Sequence, residues 1–156
     1  MAVDQADFRR ALGHFAAGVT VVTTKFDGKN SGITVTAFSS LSLEPPLVLI
    51  CIDQRARMHE RLPVGGAFAV NMLRDDQELV SREFATSKGD PFAVVGHREG
   101  ATGVPILEGT LCAIECKIVE RLPGGDHTII IGEVETTHLR EGKPLLYFRG
   151  GYSQLN

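Results

Sequence analysis

Residues 32–53 place the strongest constraint on the fold, because two strand-like runs there flank a serine-rich segment that ends in two prolines. The first run is Ile33 to Thr36. The second, Leu47 to Ile52, is apolar at nearly every position, which is typical of a strand covered on both faces. A small-hydroxyl segment beside a buried strand can offer donors to an anion, but an ordinary loop ending in a Pro-Pro turn has the same composition. The stretch alone leaves both interpretations open.

The rest of the chain predicts mostly strands, with few helices and no internal repeat. Strands are expected over residues 19–25, 33–36, 47–52, 67–72, 110–121, 127–139 and 145–149. A hairpin with its turn at residues 27–28 and a long hairpin with its turn at residues 122–126 are expected between these strands. Helices are expected over residues 6–16 and 75–86, with one or two helical turns over 55–62, and residues 87–109 are expected to be irregular. Because βαβ alternation is missing, this pattern favours a closed or partly closed antiparallel barrel over a doubly wound sheet. With 156 residues and no linker, we expect a single domain spanning residues 1–156.

Two local features of this pattern carry further expectations. Phe8, Leu12 and Phe15 share one face of the first helix, which predicts that this helix caps a core. Cys112 and Cys116 lie four apart within a predicted strand, on the same face and about 13 Å from each other. That separation excludes a disulfide or a shared metal ion, so we expect reduced thiols and no metal site.

Composition narrows the class of partner. The chain is 43% hydrophobic and 22% charged with a net charge of -3, so it gives no reason to expect nucleic acid or an anionic membrane as a partner. No apolar run approaches the ~18 residues that a membrane span needs, and the N-terminus has no basic region followed by an apolar stretch. We therefore expect a cytoplasmic protein.

Common nucleotide and hydrolase motifs are missing: no G-x-G-x-x-G follows a strand, and no P-loop, H-E-x-x-H, C-x-x-C or G-x-S-x-G occurs. Of five dispersed histidines, His127 has the most suggestive context, because Gly124 to Asp126 turn the backbone sharply before a strand begins. Its imidazole is therefore expected at a strand mouth, where small barrels commonly hold ligands.

Basic residues follow the second run of residues 32–53. Arg55 and Arg57 come directly after the strand end at Asp53, where they can meet an anion near the serines. The Asp53 carboxylate itself can accept from a heterocycle N–H or cap the next helical turn, and the cap is slightly favoured. Arg61 is better explained as solvated surface.

Several segments together resemble the flavin reductase family, the short NAD(P)H:flavin oxidoreductases that partner two-component monooxygenases. The similarity runs nearly end to end, through residues 8–9, 18–23, 32–42, 45–47, 68–73, 82–85, 125–127 and 146–152. Each segment is weakly informative, but their order and spacing are specific. The resemblance therefore favours a ligand site over an ordinary loop at residues 32–53.

The resemblance implies a mainly β fold, a six-stranded antiparallel Greek-key split barrel of the FMN-binding type with two or three short helices. It implies a flavin site from Thr34, Val35, Thr36 and Ala37 at the isoalloxazine edge, Ser39 and Ser40 at the ribityl phosphate, Cys51, Ile52 and Asp53 beside the ring, and Phe84, Lys88 and Tyr152 closing the site. Gly125, Asp126 and His127 match the family's nicotinamide motif. One departure is that residues 54–58 lack the family's usual hydroxyls, which Arg55 and Arg57 would replace with charge-assisted bonds.

These features predict hydride transfer from the nicotinamide of NADH or NADPH to FMN or FAD, with no acid–base residue in the protein. A homodimer and an oxygenase partner that receives the reduced flavin are also implied. One alternative is a flavin-binding carrier or sensor without turnover. Another alternative is an oxidase or heme-handling protein on the same scaffold. It is disfavoured because it assigns no function to the motif at residues 125–127.

Overall fold

Antiparallel strands make up most of the molecule. The computed structural model describes residues 2–156. Its strands are β1 (Ala17–Gly18), β2 (Thr20–Phe26), β3 (Lys29–Val35), β4 (Phe38–Ser42), β5 (Leu47–Asp53), β6 (Ala67–Met72), β7 (His97–Glu99), β8 (Pro105–Leu107), β9 (Cys112–Gly124), β10 (His127–Leu139), β11 (Leu145–Phe148) and β12 (Gly151–Gln154). The helices are α1 (Gln5–Leu12) and α2 (Glu78–Thr86), with 3-10 turns at Arg57–Arg61 and Pro91–Ala93. The expectation of a mainly β fold with antiparallel sheets is confirmed.

Seven strands form the principal sheet, in the order β3-β2-β6-β9-β10-β5-β4. The seventh strand is β4, which the sequence predicted as a serine-rich loop. Ser39 and Ser40 are exposed and Ser42 is half-buried, and β4 is an edge strand that, among the described residues, pairs with β5 alone. Two smaller sheets, β1-β11-β12 and β7-β8, complete the fold.

Both predicted hairpins are present. Asp27 and Gly28 adopt φ of 50° and 74° between β2 and β3, as the two central residues of a type I′ turn require. Between β9 and β10 the turn has only two residues, Gly125 and Asp126, so it is tighter than the predicted 122–126 turn. This hairpin carries His127 at the first position of β10.

The main core lies on one face of the large sheet. It includes Val22, Val35, Val48, Ile50, Ile52, Met58, Leu62, Phe68, Val70, Ile114, Cys116, Ile118 and Ile130. In β5, the alternate residues Leu49 and Cys51 are only half-buried, so the prediction that this strand is covered on both faces is wrong. The second face of β5 is available to line a cavity.

Three predicted segments differ from the structure. Helix α1 ends at Leu12 and buries no side chain, and Phe15 is 79% exposed, so the predicted core cap is wrong. Helix α2 begins at Glu78 rather than Asp75, because residues 74–77 form a separate turn in which the Gln77 N–H donates to the Arg74 carbonyl. Residues 87–109 contain the β7–β8 hairpin, whose three-residue strands are too short to show a period. No helix among residues 2–156 is long and apolar enough to cross a membrane.

Candidate functional site

The chain crosses from one edge of the large sheet to the other within two residues. Strands β3 and β4 are the two edge strands, yet only Thr36 and Ala37 separate them. The Cys51 N–H donates to the Ala37 carbonyl at 3.0 Å and fixes the crossing beside β5. Val35 is buried in the core, so only its backbone can face a ligand. The predicted ring-edge segment therefore lies where the sheet edges meet.

An apolar cavity of about 680 Å³ opens beside this crossing. Its walls include the aromatic rings of Phe15 and Tyr147 and the side chains of Phe38 and Leu49. Four residues of the predicted flavin site also line it, namely Thr36, Ala37, Ser39 and Cys51. The volume lies within the usual range of ligand pockets, about 300–1,000 Å³.

A second cavity of about 660 Å³ lies between β3, the 3-10 turn at Arg57–Arg61 and the C-terminal half of α2. We call it the basic cavity because Arg57, Arg61 and Lys88 all line it. Among residues 2–156 no carboxylate lies within 4.0 Å of a charged nitrogen of these three side chains. Glu83 and Asp90 also line the basic cavity, but neither forms an ion pair with the three cations. The cations outnumber the carboxylates, which makes the cavity suited to an anion.

The floor of the basic cavity is a close contact between β3 and α2. A Cβ on Gly32 would lie 2.7 Å from the ring of Phe84, so only glycine allows this approach. Phe84 is buried and packs edge-on against Phe92, with ring centroids 5.1 Å apart. The predicted site residues Phe84 and Lys88 thus lie in the same cavity as Arg57.

The predicted meeting of serines and arginines at one anion is not observed. Ser39 lines the apolar cavity, whereas Arg57 and Lys88 line the basic cavity. Ser40 lines neither cavity, and the Ser39 hydroxyl already donates to the Ser40 carbonyl at 2.8 Å. The reason is that β4 begins beyond the crossing and runs along the far side of β5.

Arg55 is committed to Asp53. The Arg55 Nη2 and Nε donate to the two Asp53 carboxylate oxygens at 2.9 and 3.2 Å, and the Arg55 backbone N–H donates to Oδ1 at 2.8 Å. These bonds to Arg55 lower the pKa of Asp53 to about 2. The carboxylate therefore closes a turn with Arg55, but the favoured prediction that it caps the next helical turn is wrong, because Ala56 is the N-cap of the 3-10 helix. Arg55 lines neither cavity and already has its counterion.

The predicted nicotinamide motif lies at the same end of the sheet as Asp53. His127 pairs with Asp53 in the β10–β5 register, while the neighbouring Ile52 side chain is buried in the core. The His127 Nδ1 lies 2.7 Å from the Asp126 carboxylate. The Gln54 N–H donates to the Asp126 carbonyl at 3.0 Å, which ties the Gly125–Asp126 turn to the end of β5. The imidazole is half-exposed and available at the surface.

Ser81 joins the C-terminus to α2 and β3. Its hydroxyl lies 2.7 Å from the Tyr152 hydroxyl, and its carbonyl accepts a hydrogen bond from Thr34 Oγ1 at 2.6 Å. The guanidinium of Arg82 lies 4.9 Å from the Tyr152 ring centroid. The structure therefore brings the predicted residues Thr34 and Tyr152 to one serine that sequence reasoning did not single out.

Arg61 is the second residue that sequence reasoning missed. It was interpreted as solvated surface, but it is half-buried and its Nη1 donates to Ser31 Oγ at 2.5 Å. Ser31 lies on β3, 30 positions earlier in the chain. No local pattern in the sequence reveals such a long-range contact.

Comparisons with known proteins agree on one family. A family model described as "Flavin reductase like domain" matches residues 12–156. The reductase component of 4-hydroxyphenylacetate 3-monooxygenase from Thermus thermophilus is 44% identical over 149 residues, which cover 95% of each chain. An NADH-dependent flavin reductase from Rhodococcus sp is 42% identical, covering 94% of this chain and 84% of the relative. The NADH:FAD oxidoreductase SgcE6 from Streptomyces globisporus, solved in complex with NAD and FAD fragments, superposes with a TM-score of 0.93 at 38% identity over 100% of this chain and 97% of that one. The chain therefore belongs to the flavin reductase-like family.

Proposed function

We propose that this protein is an NAD(P)H-dependent flavin reductase that supplies reduced flavin to a partner monooxygenase. The observation that carries the proposal is the strand crossing at Thr36 and Ala37, with an apolar cavity beside it and a cavity lined by Arg57, Arg61 and Lys88 along the preceding strand β3. Support for the reaction comes from relatives whose names describe flavin reductases and reductase components of monooxygenases. Steady-state oxidation of NADH and NADPH, with and without added FMN, FAD or riboflavin, tests it.

The residues present fit a flavin. The outer edge of β3 pairs with no strand among the described residues, so its backbone groups beside the crossing can bond to a ring edge. In this proposal Thr34 to Ala37 and Cys51 to Asp53 border the isoalloxazine, with Ser39 and Ser40 on the neighbouring strand. Arg57, Phe84 and Lys88 lie towards the phosphate end of the flavin, and Tyr152 covers the site from the C-terminal segment. Arg55 stays paired with Asp53 and does not contact the flavin in this proposal.

The reaction places few demands on side chains. A bound flavin accepts a hydride at N5 from the nicotinamide C4, so the cofactors supply the redox chemistry. The protein's task is to hold the two rings together and exclude misaligned complexes. In this proposal, backbone N–H groups near residues 34–37 and 52–53 stabilise negative charge at a ring edge, whereas the Cys51 N–H is bonded to the Ala37 carbonyl.

Gly125, Asp126 and His127 are proposed to bind the nicotinamide dinucleotide. We expect His127→Ala to raise the KM for NADH about tenfold, because one charge-assisted partner of this substrate is lost. The affinity for flavin should stay within about twofold, since His127 lines neither cavity. Steady-state kinetics and a flavin titration measure the two effects on the same preparation. Equal losses for both ligands would assign His127 to the fold instead.

A homodimer is proposed because the molecule exposes apolar side chains around α1. Phe8 and Leu12 are each 54% exposed and Phe15 is 79% exposed, beside the mouth of the apolar cavity. Contiguous patches of this kind usually mark protein interfaces. A second copy on this face would also exclude water from the proposed ring site.

We expect Phe15→Asp to shift the protein from dimer to monomer in sedimentation velocity, because a charge at an apolar interface is left unpaired. Val94→Asp is the matched control, since Val94 is 72% exposed on another surface. A dimer that persists in Phe15→Asp, or one lost equally in Val94→Asp, would place the interface elsewhere.

The proposed architecture is the six-stranded Greek-key split barrel. The seven-stranded sheet becomes six-stranded if β3 and β4 are counted as one strand bent at Thr36 and Ala37. Its first half pairs with β2 and its second half with β5, which closes the sheet around the main core. We propose that residues 1–156 act as this single domain.

A catalytically silent flavin carrier is the second candidate, because a flavin-binding fold does not by itself require turnover. It predicts flavin binding without oxidation of NADH or NADPH. The steady-state assay above separates the two candidates, because only the reductase consumes the nicotinamide cofactor in a flavin-dependent way.

A further inference from the structure

Arg61 is held in place from both sides. The 3-10 turn Arg57–Arg61 follows β5, and Met58 and Leu62 anchor it in the main core with exposures of 3% and 0%. The Arg61 side chain is consequently directed along β3, where Nη1 donates to Ser31 Oγ at 2.5 Å. Ser31 is itself buried at 6% exposure, so its hydroxyl is a fixed partner.

The partner of Arg61 orients the guanidinium without neutralising it. Arg55, Arg74 and Arg82 each form an ion pair with a nearby carboxylate. Arg61 instead bonds to a neutral hydroxyl, and within residues 2–156 no carboxylate lies within 4.0 Å of it. Its charge and its remaining N–H donors are therefore available to a ligand in the basic cavity.

The geometry favours a phosphate over other anions. A guanidinium presents parallel donors that match two oxygens of one phosphate, and Arg57 and Lys88 line the same cavity. The three cations outnumber the two carboxylates of the lining, Glu83 and Asp90, and suit a phosphate monoester, which carries close to two negative charges at neutral pH. The serines of β4 offer no comparable charge, and the Ser39 hydroxyl is already bonded to Ser40.

We propose that Arg61 is the residue that recognises the flavin phosphate in this chain, and that Ser31 is its positioning residue. The proposal rests on the proposed flavin reductase function and deepens it. Arg61 takes the place of the hydroxyls that residues 54–58 lack, and makes the enzyme discriminate FMN from riboflavin.

The test compares flavins that differ only in the phosphate. Dissociation constants for FMN and riboflavin are measured by flavin fluorescence for the wild-type protein, Arg61→Gln, Ser31→Ala, the double variant Ser39→Ala/Ser40→Ala and Arg140→Gln. We expect Arg61→Gln to weaken FMN binding at least about tenfold and riboflavin binding less than about twofold, because only FMN loses a charge-assisted bond. Ser31→Ala should produce a smaller loss of the same selectivity. Exposed Arg140, which lines neither cavity, controls for net charge.

Several outcomes would overturn the proposal. Unchanged FMN selectivity in Arg61→Gln, or equal losses for FMN and riboflavin, would give Arg61 a purely structural role. Selectivity lost in the double serine variant instead would return the phosphate to β4. A change confined to the ratio of the KM for NADPH to that for NADH would assign Arg61 to the nicotinamide cofactor.

Two readouts keep the proposal separate from its premises. Wild-type protein that neither binds FMN nor oxidises NADH would contradict the proposed function itself, and Arg61 would then have no flavin phosphate to recognise.

Circular dichroism checks folding, and Arg61→Lys replaces Arg61→Gln in the test if Arg61→Gln does not fold. Lysine keeps the charge but loses the fork, so we expect Arg61→Lys to retain only part of the selectivity for FMN. If the single variants Arg61→Lys and Ser31→Ala both kept the full selectivity for FMN over riboflavin, a guanidinium held in place by Ser31 would be contradicted.

Discussion

Glu115→Ala is expected to lower the free energy of unfolding by about 3 kcal/mol, the largest loss of stability that we expect from one side chain, because it breaks a buried hydrogen-bond network. Glu115 lies on β9 with 0% exposure. Its carboxylate accepts from the Thr102 N–H at 2.8 Å, the Thr102 hydroxyl at 2.6 Å and the Ala101 N–H at 3.3 Å. Removing it leaves these donors unpaired beneath the β7–β8 hairpin.

His138 completes the Glu115 network. Its Nε2 lies 2.7 Å from the Glu115 carboxylate, and Arg98 Nη2 lies 3.3 Å from its Nδ1. Because arginine only donates, Nδ1 accepts and Nε2 carries the proton that is donated to Glu115. Urea unfolding of Glu115→Ala and of the exposed control Glu133→Ala measures the effect. A loss in Glu115→Ala no larger than in the control would show that the hairpin does not depend on this carboxylate.

The Glu115 network also gives a pH dependence. Burial raises the pKa of Glu115, but hydrogen bonds from Thr102 and His138 outweigh burial and leave it below the usual 4.5. A lowered pKa in the folded state means that the stabilisation is complete above pH 4.5 and is lost as the pH falls through the folded-state value. Glu115→Ala should therefore differ less from wild type in acid than at neutral pH.

Gly32→Ala is expected to weaken flavin binding at least about tenfold and to destabilise the fold by about 1–3 kcal/mol through overpacking. The new Cβ would lie 2.7 and 2.8 Å from two atoms of the Phe84 ring. Phe84 cannot yield easily, because it is buried and packed against Phe92. Helix α2 must then move away from β3, which stretches the Thr34–Ser81 hydrogen bond and displaces Lys88 in the basic cavity.

Gly18→Ala is the matched control for Gly32→Ala. Gly18 lies at a strand end, and no atom of the described residues outside its immediate chain neighbours lies within 4 Å of the position that a Cβ would take. Flavin titration and thermal unfolding of both variants measure the two effects. Wild-type flavin affinity in Gly32→Ala would separate the β3–α2 contact from the flavin site.

The sequence predicted the hairpins and the long strands because their signals are local. Asp27 and Gly28 are typical of a two-residue turn, and buried and more exposed side chains alternate along much of β10. Strand β4 was missed because its serines face solvent at a sheet edge and show no apolar period. Helix α1 was predicted to cap a core because periodicity shows that a helix has an apolar face but does not show what covers that face.

The candidate site was predicted less completely than the fold, since it depends on contacts between distant residues. The family resemblance singled out residues 34–37 and the turn before His127, and the structure leaves Thr36 exposed at the strand crossing and His127 half-exposed. Arg55 was predicted to meet an anion, although its counterion Asp53 lies only two positions earlier. Arg61 was predicted to be solvated surface, because its contact with Ser31 arises from tertiary packing.

Anaerobic mixing of the protein and FMN with NADH tests directly whether the protein reduces flavin. We expect the visible absorbance of the flavin to bleach at a rate that saturates with NADH, and deuterium at the nicotinamide C4 to slow this step. In His127→Ala, we expect this rate to saturate only at higher concentrations of NADH. Flavin that binds the protein but is reduced by NADH no faster than free FMN would contradict the claim and favour a flavin carrier.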